Sequence, residues 1–209
     1  MITAVSIFYF VVLIFSIMVH EVAHGLIAER EGDPTARNLG RITLNPLKHI
    51  DWIGSVILPL ILIITNAGFV VGWAKPVPYN PANLRNGRTS EAKVAVAGVI
   101  VNISIAIFFG LVIRAALLFH FGNSALIDGS SIIVLLNIVL ALFNSIPLAP
   151  LDGFRFLTAV LPARTIPTMR SIERFSLPLL LIFIVFGWTF VAPVAYGIFH
   201  FFTGIQIPL

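Results

Sequence analysis

Residues 20–24 read His-Glu-Val-Ala-His. On a helix, residues four apart share a face, so the imidazoles of His20 and His24 can ligate one metal ion. Zinc takes nitrogen and oxygen donors tetrahedrally, and a catalytic zinc keeps three protein ligands and one open position. Glu21 stands beside that face, where it can take the proton of a water attacking a carbonyl. The alternative is two interior histidines and a buried glutamate that satisfy one another. Unpaired ionisable groups are expensive in an apolar run, so the expectation is a metal centre with one Zn2+ per chain.

A third ligand is needed, and acidic residues are few. Glu29, Glu31, Asp33 and Asp51 follow the motif, Glu91 and Glu173 stand beside Lys or Arg at run ends, and Asp128 lies in an uncharged loop. Asp152 stands alone at the end of an apolar run, in "NSIPLAPLDGFRF". There are no cysteines, which removes thiolate ligands and nucleophiles as well as disulfides.

The elements that must position these residues are membrane segments. The chain is 58% apolar and 11% charged, less than half the charge of a soluble domain, at about 25%. Apolar runs cover residues 2–28, 53–71, 94–119, 131–148 and 172–202. The expected architecture is an all-α integral membrane protein, a multi-pass bundle of about four to six membrane segments, with residues 1–209 forming one domain. The first run lacks an early basic region and a small-residue cleavage site, so it reads as a retained span. The last run is too long for one upright span and holds Pro178, Gly187 and Pro193. It is expected to be one broken helix or a span plus a second element. Residues 149–170 read mainly as loop. No basic stripe interleaved with aromatics exists, which argues against nucleic acid.

Positive charge reports sidedness. Twelve of the thirteen Lys and Arg residues fall between 29 and 51, 72 and 93, or 150 and 174; loop 120–130 has none, and Arg114 lies near a run end. If 53–71 crossed fully, two basic loops would lie on opposite faces. A re-entrant course for 53–71 puts all three basic segments on the cytoplasmic side of a cell membrane. It also makes the first and fourth runs parallel, which brings Asp152 to the level of His20 and His24. Charge and ligand geometry thus demand the same topology.

"HEVAH" at a span's inner end, with "NSIPLAPLDG", resembles the site-2 protease family of intramembrane zinc metalloproteases. Asn144, Pro147, Asp152 and Gly153 match that family's second motif. "VAVAGVIVN" is similar to a third stretch through Ala97, Gly98 and Asn102, with Val99 where many members have proline. "LNPLKHID" and "GWAKPVPYNP" look like the compact branch without a PDZ domain. The resemblance implies that His20, His24 and Asp152 bind zinc and Glu21 is the general base. It implies that Asn144 steadies the substrate or oxyanion, and that the substrates are transmembrane proteins within the lipid bilayer.

Such a substrate must unwind before cleavage, because a helix bonds its peptide groups internally. Residues 68–80 are a candidate to receive the unwound chain by strand addition, limited by Pro76 and Pro78. His49 and Asp51 are expected to cap or pair at the interface. His120 and His200 read as interfacial, and Asn102, Ser104 and Asn137 as contacts between helices. Two other functional classes fit the same residues: a divalent-metal transporter, or an inactive relative that only binds membrane proteins. The first needs polar residues on both sides of the metal; the second has no use for Glu21.

Overall fold

The structure is a computed structural model that describes residues 4–57, 60–61, 64–65 and 75–206. All regular structure among these residues is helical. The main elements are α1 (Ala4–Arg30), the single turn α2 (Thr35–Asn38), α3 (Arg88–Leu118), α4 (Ser124–Asn144), α5 (Asp152–Val160), α6 (Ile166–Phe186) and α7 (Trp188–Thr203).

Three helices are long and apolar enough to cross a membrane: α1, α3 and α4, with 27, 31 and 21 residues. Each exceeds the roughly 20 residues that span a hydrocarbon core. Helices α6 and α7 together make a fourth candidate, bent by 69°. Outward-facing Phe8, Phe10, Ile100, Phe108, Leu111, Phe190 and Phe201 are exposed. So much large apolar surface suits lipid rather than water.

α1 and α4 run parallel. Ser16 of α1 accepts from Asn137 of α4 at 3.0 Å, and a Cβ on Gly129 would meet the Phe8 ring at 3.6 Å. The two contacts are eight residues apart on each helix and advance in the same direction. α3 runs antiparallel to both. Its first turns adjoin the end of α1, where Arg85 N donates to Glu31 O at 2.8 Å and Ser90 and Lys93 donate to the Glu31 carboxylate at 2.5 and 2.8 Å. The chain between α1 and α3 therefore leaves and returns at one end of the bundle. The expected re-entrant course of 53–71 falls mostly on residues outside those described.

Helix limits differ from the apolar runs. α4 begins at Ser124, within the expected loop 120–130, because Asn123 caps it by accepting from Leu126 N at 2.8 Å. A nine-residue helix, α5, occupies part of the stretch read as loop. Of the three expected interruptions, Pro178 and Pro193 lie inside α6 and α7, and the bend falls at Gly187. There a Cβ would press on the Phe183 carbonyl and ring at 2.5–2.6 Å. A core of Ala106, Ile113, Val134, Ile138, Ala195 and Phe199 joins α3, α4 and α7.

Candidate metal centre

The parallel course of α1 and α4 delivers Asp152, the first residue of α5, to the histidine face of α1. Asp152 Oδ2 lies 2.9 Å from His20 Nε2 and 3.1 Å from His24 Nε2. All three side chains are buried, and their donor atoms lie within 4.8 Å of one another. Its place in the first turn of α5 favours negative charge on Asp152.

The outer ring nitrogens decide what the inner ones can do. His24 Nδ1 donates to Val94 O at 2.7 Å, and His20 Nδ1 donates to Asn102 Oδ1 at 3.1 Å. With Nδ1 protonated in each neutral ring, both Nε2 lone pairs face Asp152 Oδ2. Three lone-pair donors pointing at one another repel unless a cation lies among them. Zinc arms of about 2.0–2.1 Å place tetrahedral donors about 3.3 Å apart, close to the separations of Asp152 from the two imidazoles. Donor type, spacing and fixed tautomers therefore fit a zinc ion.

α3 supplies the supporting surface through Val94, Gly98 and Asn102, four residues apart on one face. A Cβ on Gly98 would collide with the His20 ring at Cε1, Nε2 and Nδ1. Gly98→Ala should therefore fold, since Ala exceeds Gly in helix propensity by about 1 kcal/mol, but it must push His20 aside. Its zinc affinity should fall by about 10–100-fold, the cost of disturbing a ligand's support. Competition with a chromogenic chelator measures this, and unchanged affinity would show that His20 does not need its present pose.

Glu21 does not join the three donors. Its Oε2 accepts from Val77 N at 2.9 Å, and Val77 packs on Gly25, where a Cβ would meet Val77 Cγ1 at 2.8 Å. The backbone leading to Val77 is fastened. Lys75 N donates to His49 O at 2.8 Å, and Arg41 donates to the carbonyls of Lys75 and Pro76 at 2.7 and 3.2 Å. Lys75 N and O, Pro76 O and Val77 N are thus already paired, Asn80 N donates to Asp33 at 2.6 Å, and residues 68–74 of the segment expected to receive a strand lie outside the described residues.

The other acidic candidates have other partners. Glu29 pairs with Arg37. Asp33 is fully buried, and burial pushes its carboxyl up, but Thr35, Asn83 and Asn80 outweigh this and hold it below the usual range. Asp51 caps the turn at 52–57 by accepting from Ile53 N and Gly54 N at 3.1 and 2.7 Å. Asp128 lies in the first turns of α4, at the end remote from Asp152. His49 Nε2 donates to Thr43 O at 2.9 Å. His200 Nδ1 donates to Ile205 O at 3.2 Å, beyond the end of α7.

Asn144 ends α4 and turns its Nδ2 to Leu140 O at 2.9 Å. Among the described residues it makes no hydrogen bond with His20, His24 or Asp152. Asn102 read as a contact between helices, and it makes one, from α3 to His20 of α1; what sequence reasoning missed is that this contact supports a candidate metal ligand. The Val94 carbonyl had no side-chain signal at all.

Fold and site together define a helical membrane protein with a two-histidine, one-aspartate group able to hold a metal. A relative from Bacillus subtilis (strain 168), named "Putative zinc metalloprotease YwhC", is 39% identical over 189 residues, covering 88% of this chain and 80% of that protein. The chain belongs to the family of that zinc metalloprotease. No family model matches the chain, and no solved structure matches it.

Proposed function

We propose that the chain is an intramembrane zinc endopeptidase of the site-2 protease type, acting as one domain on transmembrane protein substrates. The observation that carries this reading is the meeting of His20, His24 and Asp152 beside Glu21 at one end of a bundle of apolar helices. These three residues would hold one zinc ion. When bound, zinc supplies Lewis acidity, polarising a peptide carbonyl and making a water molecule more acidic. Glu21 takes the proton of the attacking water at a carboxylate oxygen and later gives it to the leaving amine. Asn144, turned from Leu140, donates its amide to the carbonyl oxygen as charge develops there. The site opens toward the cytoplasm, where the basic segments 29–51, 72–93 and 150–174 lie.

Purified protein in liposomes with single-span substrates tests this. Cleavage should stop when a chelator strips the metal and return on adding zinc. Metal flux across the liposomes without any cleavage would replace this reading with a transporter.

A further inference from the structure

Two buried amide atoms have no partner among the described residues: Nδ2 of Asn102 on α3 and Oδ1 of Asn137 on α4. Both residues are 0% exposed. An unpaired amide atom is costly in any interior, and lipid offers it no relief. The opposite end of each amide is already committed. Asn102 Oδ1 accepts from His20 Nδ1, and Asn137 Nδ2 donates to Ser16 Oγ at 3.0 Å and Ile133 O at 2.9 Å. What remains is one donor and one acceptor.

Their partners set their spacing. His20 and Ser16 are four residues apart on one face of α1, so the two amides meet successive turns of that face. No direct bond joins the two free atoms. One molecule that accepts from Asn102 and donates to Asn137, through two bonds of about 2.8–2.9 Å at a near-tetrahedral angle, joins atoms roughly 4.6 Å apart. The Ser16 hydroxyl offers a third contact, and a buried water typically has two to four.

We propose that an internal water molecule is held between Asn102 Nδ2 and Asn137 Oδ1, one turn deeper in the bundle than the histidine pair. It lies toward the middle of α1, away from the end where the polar loops gather. Peptide hydrolysis consumes one water per bond cut: hydroxyl goes to the carbonyl carbon, the proton goes to the leaving nitrogen, and the C–N bond breaks. A molecule stored here would resupply the centre from within the bundle. That supply role rests on the protease reading; the water site does not.

An experimental structure in lipid that resolves ordered water tests the site directly. Density is expected within hydrogen-bond reach of both amides. A direct Asn102–Asn137 bond, or a closed apolar contact between them, overturns the proposal. Thermal unfolding adds a test of sign that needs no activity. In a Ser16→Ala background, adding Asn137→Leu should lower Tm if water pairs Oδ1. A raised Tm means that the oxygen was unpaired and overturns the site. The double variant should also show a several-fold lower kcat at unchanged KM and zinc content, and an unchanged kcat overturns the supply role. If wild type cleaves nothing, the protease reading falls while the density and Tm results still decide the water site.

Discussion

Glu21→Gln is expected to lower the cleavage rate by about 10²–10⁴-fold, the usual worth of a general acid–base group, with zinc content and thermal stability near wild type. The substitution is nearly isosteric, and the new amide's carbonyl oxygen can still accept from Val77 N, now 2.9 Å from Glu21 Oε2. The contact that fastens residues 75–77 to α1 is thereby kept. His20, His24 and Asp152 are untouched, because Glu21 makes no hydrogen bond with them among the described residues. What disappears is a basic oxygen able to hold a proton between attack and departure of the amine. The comparison is made in the same membranes, on the same single-span substrate, with zinc measured in both proteins. A Glu21→Gln variant that cleaves at the wild-type rate with zinc bound would remove Glu21 from the chemistry and favour a role limited to holding segment 75–77.

Most of the centre was legible because its geometry is local or topological. The four-residue spacing of His20 and His24 needs only the helical period, and Glu21 follows from it. Asp152 required the course of the chain, and the bias of Arg and Lys toward three segments supplied that. The parallel pairing of Ser16 with Asn137 and the approach of Asp152 to both imidazoles agree with the arrangement it demanded. The supports were less legible. The acceptor for His24 is the backbone carbonyl of Val94, and every residue type has a carbonyl. Gly98 matters only because the His20 ring occupies the space of its missing Cβ, a contact between helices that spacing within one helix does not disclose. Helix limits were obscured because hydropathy marks what meets lipid. α5 is a helix with polar residues at the bundle's end, so no apolar run announces it. In the last run, Pro178, Gly187 and Pro193 were equal candidates for the break. Yet α6 and α7 absorb Pro178 and Pro193, and the 69° bend sits at the glycine that lets the chain close on Phe183.

Asp152→Asn is expected to lower zinc affinity by more than about 100-fold, past the range seen for residues that only support a ligand. The amide keeps the shape but loses the charge that offsets the cation. It also presents an N–H group that can donate to a histidine Nε2, so the metal-free protein should keep its fold. The loss then appears as a missing response to metal. Wild type should gain stability from zinc by mass action, about 4 kcal/mol at a thousandfold excess over Kd, and the variant should show almost no zinc-induced rise in Tm. Asp152→Glu is not expected to rescue it. The longer side chain carries its carboxyl about 1.5 Å further, and the backbone has little room to retreat, because a Cβ on Gly153 would collide with the carbonyl of Ser145 and press on that of Ile146 at 2.6 Å. The loop is thus seated at a depth that suits aspartate. Asn102→Ala should cost less, about 10–100-fold, since His20 loses an orienting acceptor and no ligand. The order Asp152→Asn above Asn102→Ala, read by chelator competition, separates a third ligand from a support. Wild-type zinc affinity in Asp152→Asn would mean that the third donor lies elsewhere and that the short His–Asp contacts are ordinary ion pairs.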